Sequence, residues 1–475
     1  MMDLEQFRKY AHQFVDWMAD YYQNIETYPV KAPVKPGDIY SQIPETPPQE
    51  GQNMESIFRD FEQIILPGMT HWQSPKFFAY FPANASYPSV LGEMLTATLA
   101  AQCMIWDTSP AAAELEEKVM NWLKQMLGLP LGWDGVIQDT ASSATLVSLL
   151  TAREKYSRYQ INQKGFAGFE NFKIYCSTET HSSIEKAVKI AGFGSANLVK
   201  VAVDAQLRLN PEALETAIKN DLHAGQRPLA IVATLGTTGT TAIDPLKEIA
   251  EIAARYDLWL HVDAAYAGNA LILPEYRWMI DGIEQVDTFV FNPHKWMFTN
   301  FDCSAYFVKD RQALLHTMSI LPEYLKTDTT GRVNDYRDWG IALGRRFRAL
   351  KLWFVIRNFG VEGIRQRFRD HIRWASELEQ SIAEQPDFEI MAPRTLNLVC
   401  FRYHPEAVQD EQKLDAINER LLQILNASGN LFLTHTRVNG RYTLRMVTGQ
   451  TYLQHRHVQE AWRFIREQAR KMESR

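Results

Sequence analysis

The chain has 475 residues, long enough for two or three domains around a large core. Fifty basic residues against fifty-six acidic ones give a formal charge of −6, which excludes a basic field for nucleic acid or anionic lipid. No apolar run approaches the ~18 residues that span a bilayer, and the charged start Met1 to Lys9 has no apolar signal core.

Apolar and aromatic residues at helical spacing (Phe7, Tyr10, Phe14, Trp17, Met18, Tyr21) predict an amphipathic helix over residues 3 to 25. Prolines at 29, 33, 36, 44, 47 and 48 predict an irregular segment, and a second helix covers about 53 to 66. This first unit is too small to stand alone and is expected to pack on the main body or on another subunit. The aromatic run Trp72 to Pro82 reads either as a buried connector or as flat walls suited to an aromatic ligand. Helices are predicted at about 87 to 104 and 110 to 128.

From about 135 to 310, short apolar runs alternate with helical stretches, which predicts a largely parallel sheet covered by helices on both faces. Such sheets bind ligands at the carboxyl ends of their strands. Helices follow at about 311 to 318 and 345 to 358, separated by the turn-rich stretch Leu321 to Gly331. The remainder reads as a compact α+β unit with helices 372–384, 412–426 and 455–470 and strands at Leu398–Phe401 and Thr443–Met446, so a boundary is placed near 365. The expected division is 1–85, a helical segment at a subunit interface; 86–365, a large α/β domain; and 366–475, a small α+β domain. The four cysteines (Cys103, Cys176, Cys303, Cys400) lack CxxC spacing, which predicts reduced thiols of a cytoplasmic protein.

Two stretches carry the chemistry. Asp263, in His261-Val262-Asp263-Ala264-Ala265, ends one apolar strand, and Lys295, in Asn292-Pro293-His294-Lys295-Trp296, follows another. A desolvated lysine has a lowered pKa and forms a Schiff base with an aldehyde. A buried carboxylate keeps the nitrogen of a pyridine ring protonated. One cofactor, pyridoxal phosphate, uses both groups, and Ala265 is small enough to let its flat ring approach. Asp139-Thr140-Ala141-Ser142-Ser143, between a strand and a helix, is a candidate phosphate cradle. His181, at a second strand-to-helix junction, is either structural or stacked on the ring, and Gly236-Thr237-Thr238-Gly239 adds a polar turn at the same sheet edge. His261-x-Asp263 could instead ligate a metal, but no second cluster with ligand spacing appears nearby and Lys295 is then unexplained. No G-x-G-x-x-G or P-loop motif follows any strand.

Ordered blocks along residues 3 to 470 resemble the group II pyridoxal-phosphate decarboxylases, specifically the aromatic-L-amino-acid decarboxylases. They include Trp72 to Pro82, Ser109-Pro110-Ala111, Ile137 to Ser142, His181-Ser182-Ser183, Thr234 to Thr238, the two stretches above, Asp335 to Trp339 and Gly344 to Arg348. The resemblance implies an α/β protein of PLP fold type I, a cytoplasmic homodimer with the active site shared at the subunit interface. Its substrate would be an aromatic L-amino acid of the DOPA, tyrosine, tryptophan or 5-hydroxytryptophan type, and its products an arylalkylamine and CO2. It makes Lys295 the Schiff-base lysine, Asp263 the partner of the ring nitrogen and His181 the stacking residue. It gives the phosphate to Ala141, Ser142, Asn292 and His294, with Thr238 nearby. It puts Trp72, Tyr80, Phe81, Pro82 and Met104 in the substrate pocket and makes Tyr324, on a mobile loop, the proton donor to the carbon that has lost CO2. Phenylalanine at that loop position accompanies aldehyde formation in related plant enzymes, so tyrosine favours the amine. No metal, nucleic acid or membrane partner is expected.

Three positions depart from relatives. Gln102-Cys103-Met104 replaces a more apolar stretch, Ala83 stands where some relatives carry a hydroxyl, and Gly344 leaves space that some fill with serine, room for an indole. Two other readings stay open: the same machinery acting on a non-aromatic amino acid, and an inactive PLP-binding regulatory protein.

Overall fold

The computed structural model describes residues 2–320 and 332–473. Contacts divide it into two compact units, one of Ala83–Ser376 with Ala392–Leu398, the other of Met1–Pro82, Glu377–Met391 and Val399–Arg475.

The chain begins with α1 (Leu4–Gln23), started by a capping box in which the Asp3 carboxylate accepts the Gln6 N–H and the Gln6 side chain accepts the Asp3 N–H. None of its residues is buried within the chain. The helix α2 (Met54–Asp60) follows, and a five-residue π turn, Phe61–Ile65, extends it.

In the larger unit, α3 (Tyr87–Leu99) and α4 (Pro110–Leu127) precede the sheet, and Gly128 ends α4 at a left-handed φ of 75°. The succession is then β1 (Asp134–Gln138), α5 (Ala141–Tyr156), α6 (Ile161–Lys164), β2 (Phe172–Ser177), α7 (Ser182–Ile190), β3 (Leu198–Val201), α8 (Pro211–His223), β4 (Arg227–Thr234), α9 (Leu246–Arg255), β5 (Trp259–Asp263), β6 (Thr288–Phe291), α10 (Pro293–Trp296), β7 (Ser304–Val308) and α11 (Arg311–Met318). The strands lie in the order β1-β7-β6-β5-β4-β2-β3. β7 runs antiparallel to both its neighbours and the other pairings are parallel. This is the predicted mostly parallel sheet, and its strands β4 to β7 are almost wholly buried, as coverage on both faces requires.

Helix α5 anchors one face. Ala144 and Val147 pack with Val136, Val290 and Tyr306, while Leu149 and Ala152 pack with Ile174, Ile184 and Val232. Each fully buried aliphatic side chain contributes about 1.5–3 kcal/mol of transfer free energy. The opposite face takes α9, whose Leu246, Ile249, Ala250 and Ala253 are buried.

The helical stretch α12 (Arg348–Ala383) consists of two helices, as predicted, but the second begins well before residue 372. A kink at Gly360, φ 65°, interrupts it, but the residues between are helical. Arginines at 365, 367 and 369 masked a regular stripe of buried Ile364, Phe368, Ile372, Ala375 and Leu378. In the other unit a second sheet, in the order β10-β11-β9-β8, is built from β8 (Phe388–Ile390), β9 (Leu398–Tyr403), β10 (Thr434–Val438) and β11 (Arg441–Val447), accompanied by α13 (Glu411–Ala427) and α14 (His455–Glu473). The sequence reading had only β9 and β11. β10 (Thr-His-Thr-Arg-Val) is largely polar and only partly buried, so no apolar run announced it.

Candidate active site

Asp263 and Lys295 stand at the carboxyl ends of adjacent parallel strands. Asp263 is the last residue of β5, in register with Val290 of β6, and the chain leaves β6 through Asn292 into α10, which carries Lys295. The turn after β5 is tight. A Cβ on Gly268 would lie 2.5 Å from that of Phe291, so glycine is required for the chain to fold back over β6. The Ala265 N–H donates to Asp263 Oδ1 (3.1 Å), and Asn292 N–H donates to Ala265 O (2.9 Å), which ties the two stretches together.

The lysine loop is held from below. Trp296 is fully buried, stacked on Tyr266 (centroids 5.1 Å, 10°) and Phe368 (4.5 Å, 21°), and its indole N–H donates to His371 Nδ1 at 3.0 Å. Asn84 Nδ2 donates to the Lys295 carbonyl at 2.9 Å. The lysine itself is half-buried. Desolvation lowers its pKa, partly opposed by the Asp263 carboxylate. A lysine poised this way is a nucleophile for a carbonyl.

His181 faces the same pair. Burial lowers the pKa of its imidazole; Asp263 raises it and Lys295 lowers it, so the three groups share one electrostatic neighbourhood. The ring caps α7, with Nδ1 accepting the Ser183 N–H at 3.1 Å, which leaves the proton of the neutral ring on Nε2.

Donors for an anion gather at the same sheet edge. Thr140 caps α5 and accepts the Ser143 N–H, while the amides of Ala141 and Ser142 are first-turn groups that a helix offers to an outside acceptor. Asn292 is buried; Ser304 Oγ donates to its Oδ1 at 2.7 Å, which leaves Nδ2 as a donor. His294 is buried with its pKa pushed down to about 3 by desolvation and by Lys295; its Nδ1 accepts the Cys303 N–H at 2.9 Å, so Nε2 carries the proton. Thr238 is exposed beyond the end of β4, and Ala265 is half-buried beside Asp263. An aldehyde-seeking amine, a carboxylate at the end of the adjacent strand and a set of anion donors fit pyridoxal phosphate. They fit a metal poorly: both nitrogens of His261 are engaged by threonine hydroxyls, and no group of three or more His, Cys, Asp or Glu suited to an ion occurs among the described residues.

The family model described as "Pyridoxal-dependent decarboxylase conserved domain" matches residues 36–404. The chain belongs to the pyridoxal-dependent decarboxylase family. The cofactor of this decarboxylase is therefore pyridoxal 5′-phosphate, and the enzyme is a carboxy-lyase of fold type I. It is 44% identical to tyrosine decarboxylase 2 of Narcissus pseudonarcissus, covering 98% of this chain and 95% of the relative. It is 45% identical to phenylacetaldehyde synthase of Arabidopsis thaliana, covering 98% and 96%. Its fold superimposes on Oryza sativa TDC with PLP and tryptamine at a TM-score of 0.96 and 37% identity, covering 99% of each chain.

The remaining predicted site residues of the decarboxylase are spread more widely. Met104 is half-buried, and its carbonyl accepts the Arg337 N–H. Near it a cavity of about 250 Å³ opens at the β1–α5 edge, bordered by Asp139, Ser143, Tyr336, Gly340 and Gly344. The space at Gly344 is shared: an added Cβ would lie 3.3 Å from Gln102 Nε2. Trp72, Tyr80, Phe81 and Pro82 belong to the smaller unit. There the aromatic run divides by burial. Phe77 and Phe78 are core, whereas Trp72 and Tyr80 are exposed and stacked at 5.9 Å. Tyr80 holds a left-handed φ of 53°, a conformation costing about 1–2 kcal/mol, with its N–H on Thr434 Oγ1, and Arg445 lies over the Phe81 ring. Pro82 is buried. Tyr324 lies outside the described residues. The sequence reading passed over Asn84 and Ser304. Neither lies in a recognisable motif, and each acts through a residue outside its own element.

Proposed function

We propose that the enzyme decarboxylates aromatic L-amino acids to arylalkylamines. The observation that carries the reading is the shared electrostatic neighbourhood of Lys295, Asp263 and His181, in a chain similar along its length to enzymes named for aromatic substrates and products. When bound, pyridoxal phosphate supplies an electron sink for the pair released as CO2 leaves. The protein's residues do the rest. Lys295 would hold the cofactor through its aldehyde. The Asp263 carboxylate would keep a proton on the ring nitrogen. His181 and Ala265 would bound the ring, and Ala141, Ser142, Asn292, His294 and Thr238 would hold the phosphate. Tyr324 returns a proton to the carbon that has lost CO2. Trp72, Tyr80, Phe81, Pro82 and Met104 receive the aromatic side chain.

The same reading makes the enzyme a homodimer with shared active sites, residues 1–85 packing across the interface, 86–365 forming the cofactor domain and 366–475 the small domain. Its support is apolar surface: Leu4, Phe7 and Val15 of α1 and Tyr87, Leu91 and Leu95 of α3 are exposed on this chain. A cytoplasmic location is supported by the burial of all four cysteines. The arylacetaldehyde outcome suggested by the Arabidopsis relative is the second reading, disfavoured by the tyrosine at 324. Steady-state rates on tyrosine, DOPA, tryptophan, 5-hydroxytryptophan, phenylalanine, glutamate and histidine, with products identified by mass, test both. Amines from the aromatic set are expected. Preference for glutamate or histidine refutes the substrate class, and aldehyde as the main product refutes the role of Tyr324.

A further inference from the structure

The interior beneath Asp263 is polar. His261 sits two residues before it on the same face of β5, fully buried. Its Nε2 lies 3.0 Å from Thr145 Oγ1 on α5, and its Nδ1 lies 2.9 Å from Thr288 Oγ1, its register partner on β6. Thr288 Oγ1 is 2.6 Å from Ser148 Oγ, which accepts the Trp259 indole N–H at 2.9 Å. Thr145, Ser148, Thr288 and His261 are all buried. If packing were the only need, apolar side chains of similar volume would serve as well or better.

Where the network lies suggests its use. Each element it joins ends in groups of the cofactor site: α5 begins with Ala141 and Ser142, β5 finishes at Asp263, and β6 runs into Asn292, His294 and Lys295. A rigid ring gripped at nitrogen, aldehyde and phosphate tolerates little error in the spacing of those grips. Apolar contacts let elements slide, whereas directional hydrogen bonds fix their register. We infer that His261 is a positioning residue whose two hydrogen bonds, to Thr145 and Thr288, set the spacing between the Asp263 carboxylate, the start of α5 and the lysine loop. Desolvation, outweighing the pull of Asp263, holds the imidazole neutral at physiological pH, so the ring does not compete with the cofactor nitrogen for the carboxylate. The inference rests on the reading of Asp263 as the partner of that nitrogen.

The test uses the full-length protein in four forms: wild type, Thr145→Val, Thr145→Ser and Asp263→Asn. For each, apo-protein Tm, the dissociation constant for pyridoxal phosphate and the absorption spectrum of the bound cofactor are measured. Thr145→Val removes one hydroxyl at nearly constant shape. It is expected to weaken cofactor binding about five- to ten-fold, the size of one buried hydrogen bond, and to change the ratio of the bound cofactor's absorption bands. Thr145→Ser keeps the hydroxyl and is expected to restore both. A Thr145→Val protein with wild-type affinity and spectrum overturns the inference whether or not its Tm falls, and so does a Thr145→Ser variant as damaged as the valine one. If Asp263→Asn leaves affinity and spectrum unchanged, the underlying reading of the carboxylate fails instead.

Discussion

Lys295 shows how one residue acquires a function from its surroundings. In water its amine is protonated and inert; here desolvation lowers the pKa, and the nearby Asp263 carboxylate only partly restores it. Lys295→Ala is expected to abolish turnover, at least 10³-fold in kcat, because it removes the amine that would hold the aldehyde; retention of a tenth of the activity would exclude the role. At Gly344 the question is volume. A serine there meets the movable end of Gln102 at 3.3 Å rather than backbone, so the variant is expected to fold and to narrow the pocket. Its kcat/KM for tryptophan is expected to fall about ten-fold relative to tyrosine, and an unchanged ratio removes Gly344 from specificity. The acid and the lysine were legible in the sequence because each closes an apolar strand, a place where an unpartnered charge is costly. Asn84, Ser304 and the His261 network were not. Their partners lie on other elements, and a lone polar residue in an apolar run carries no sign of which hydroxyl it will meet.

At the scale of elements, periodicity told most where a helix or strand had one clean apolar face. The sheet from β1 to β7 was legible for a different reason, since a doubly covered strand is a short continuous apolar run. β10 was hidden by its polar residues, and the continuation of α12 past Gly360 by arginines flanking its buried stripe. The exposed stripe of α3 is an element-scale prediction in itself. Leu91 and Leu95 are 52% and 47% exposed, at a spacing that puts them on one helical face. In the homodimer reading, Leu91→Glu with Leu95→Glu is expected to convert a dimer into monomers by light scattering and to lower activity with it. A dimer that survives both charges would exclude this face.

For the whole molecule, three buried histidines tie stability to pH. Desolvation pushes His261 down to about 4, and His294 and His371 to about 3, against 6.5 in the unfolded chain. The unfolded chain therefore binds more protons between these values, and stability falls as pH drops from 6.5 towards 4, by up to about 1.4 kcal/mol per pH unit for each histidine. The apo-protein Tm is expected to decline through that window; a flat profile would mean that these rings are not held neutral. At this scale the net charge of −6 offers no basic field, and the substrate had to be argued from relatives.

The proposed chemistry depends on a covalent grip at one lysine. Borohydride reduction of the enzyme loaded with pyridoxal phosphate, followed by digestion and peptide mass mapping, tests it directly. A pyridoxyl group on the peptide bearing Lys295 is expected in the reduced sample and not in the unreduced one; a label on another lysine, or on none, would contradict the role of Lys295.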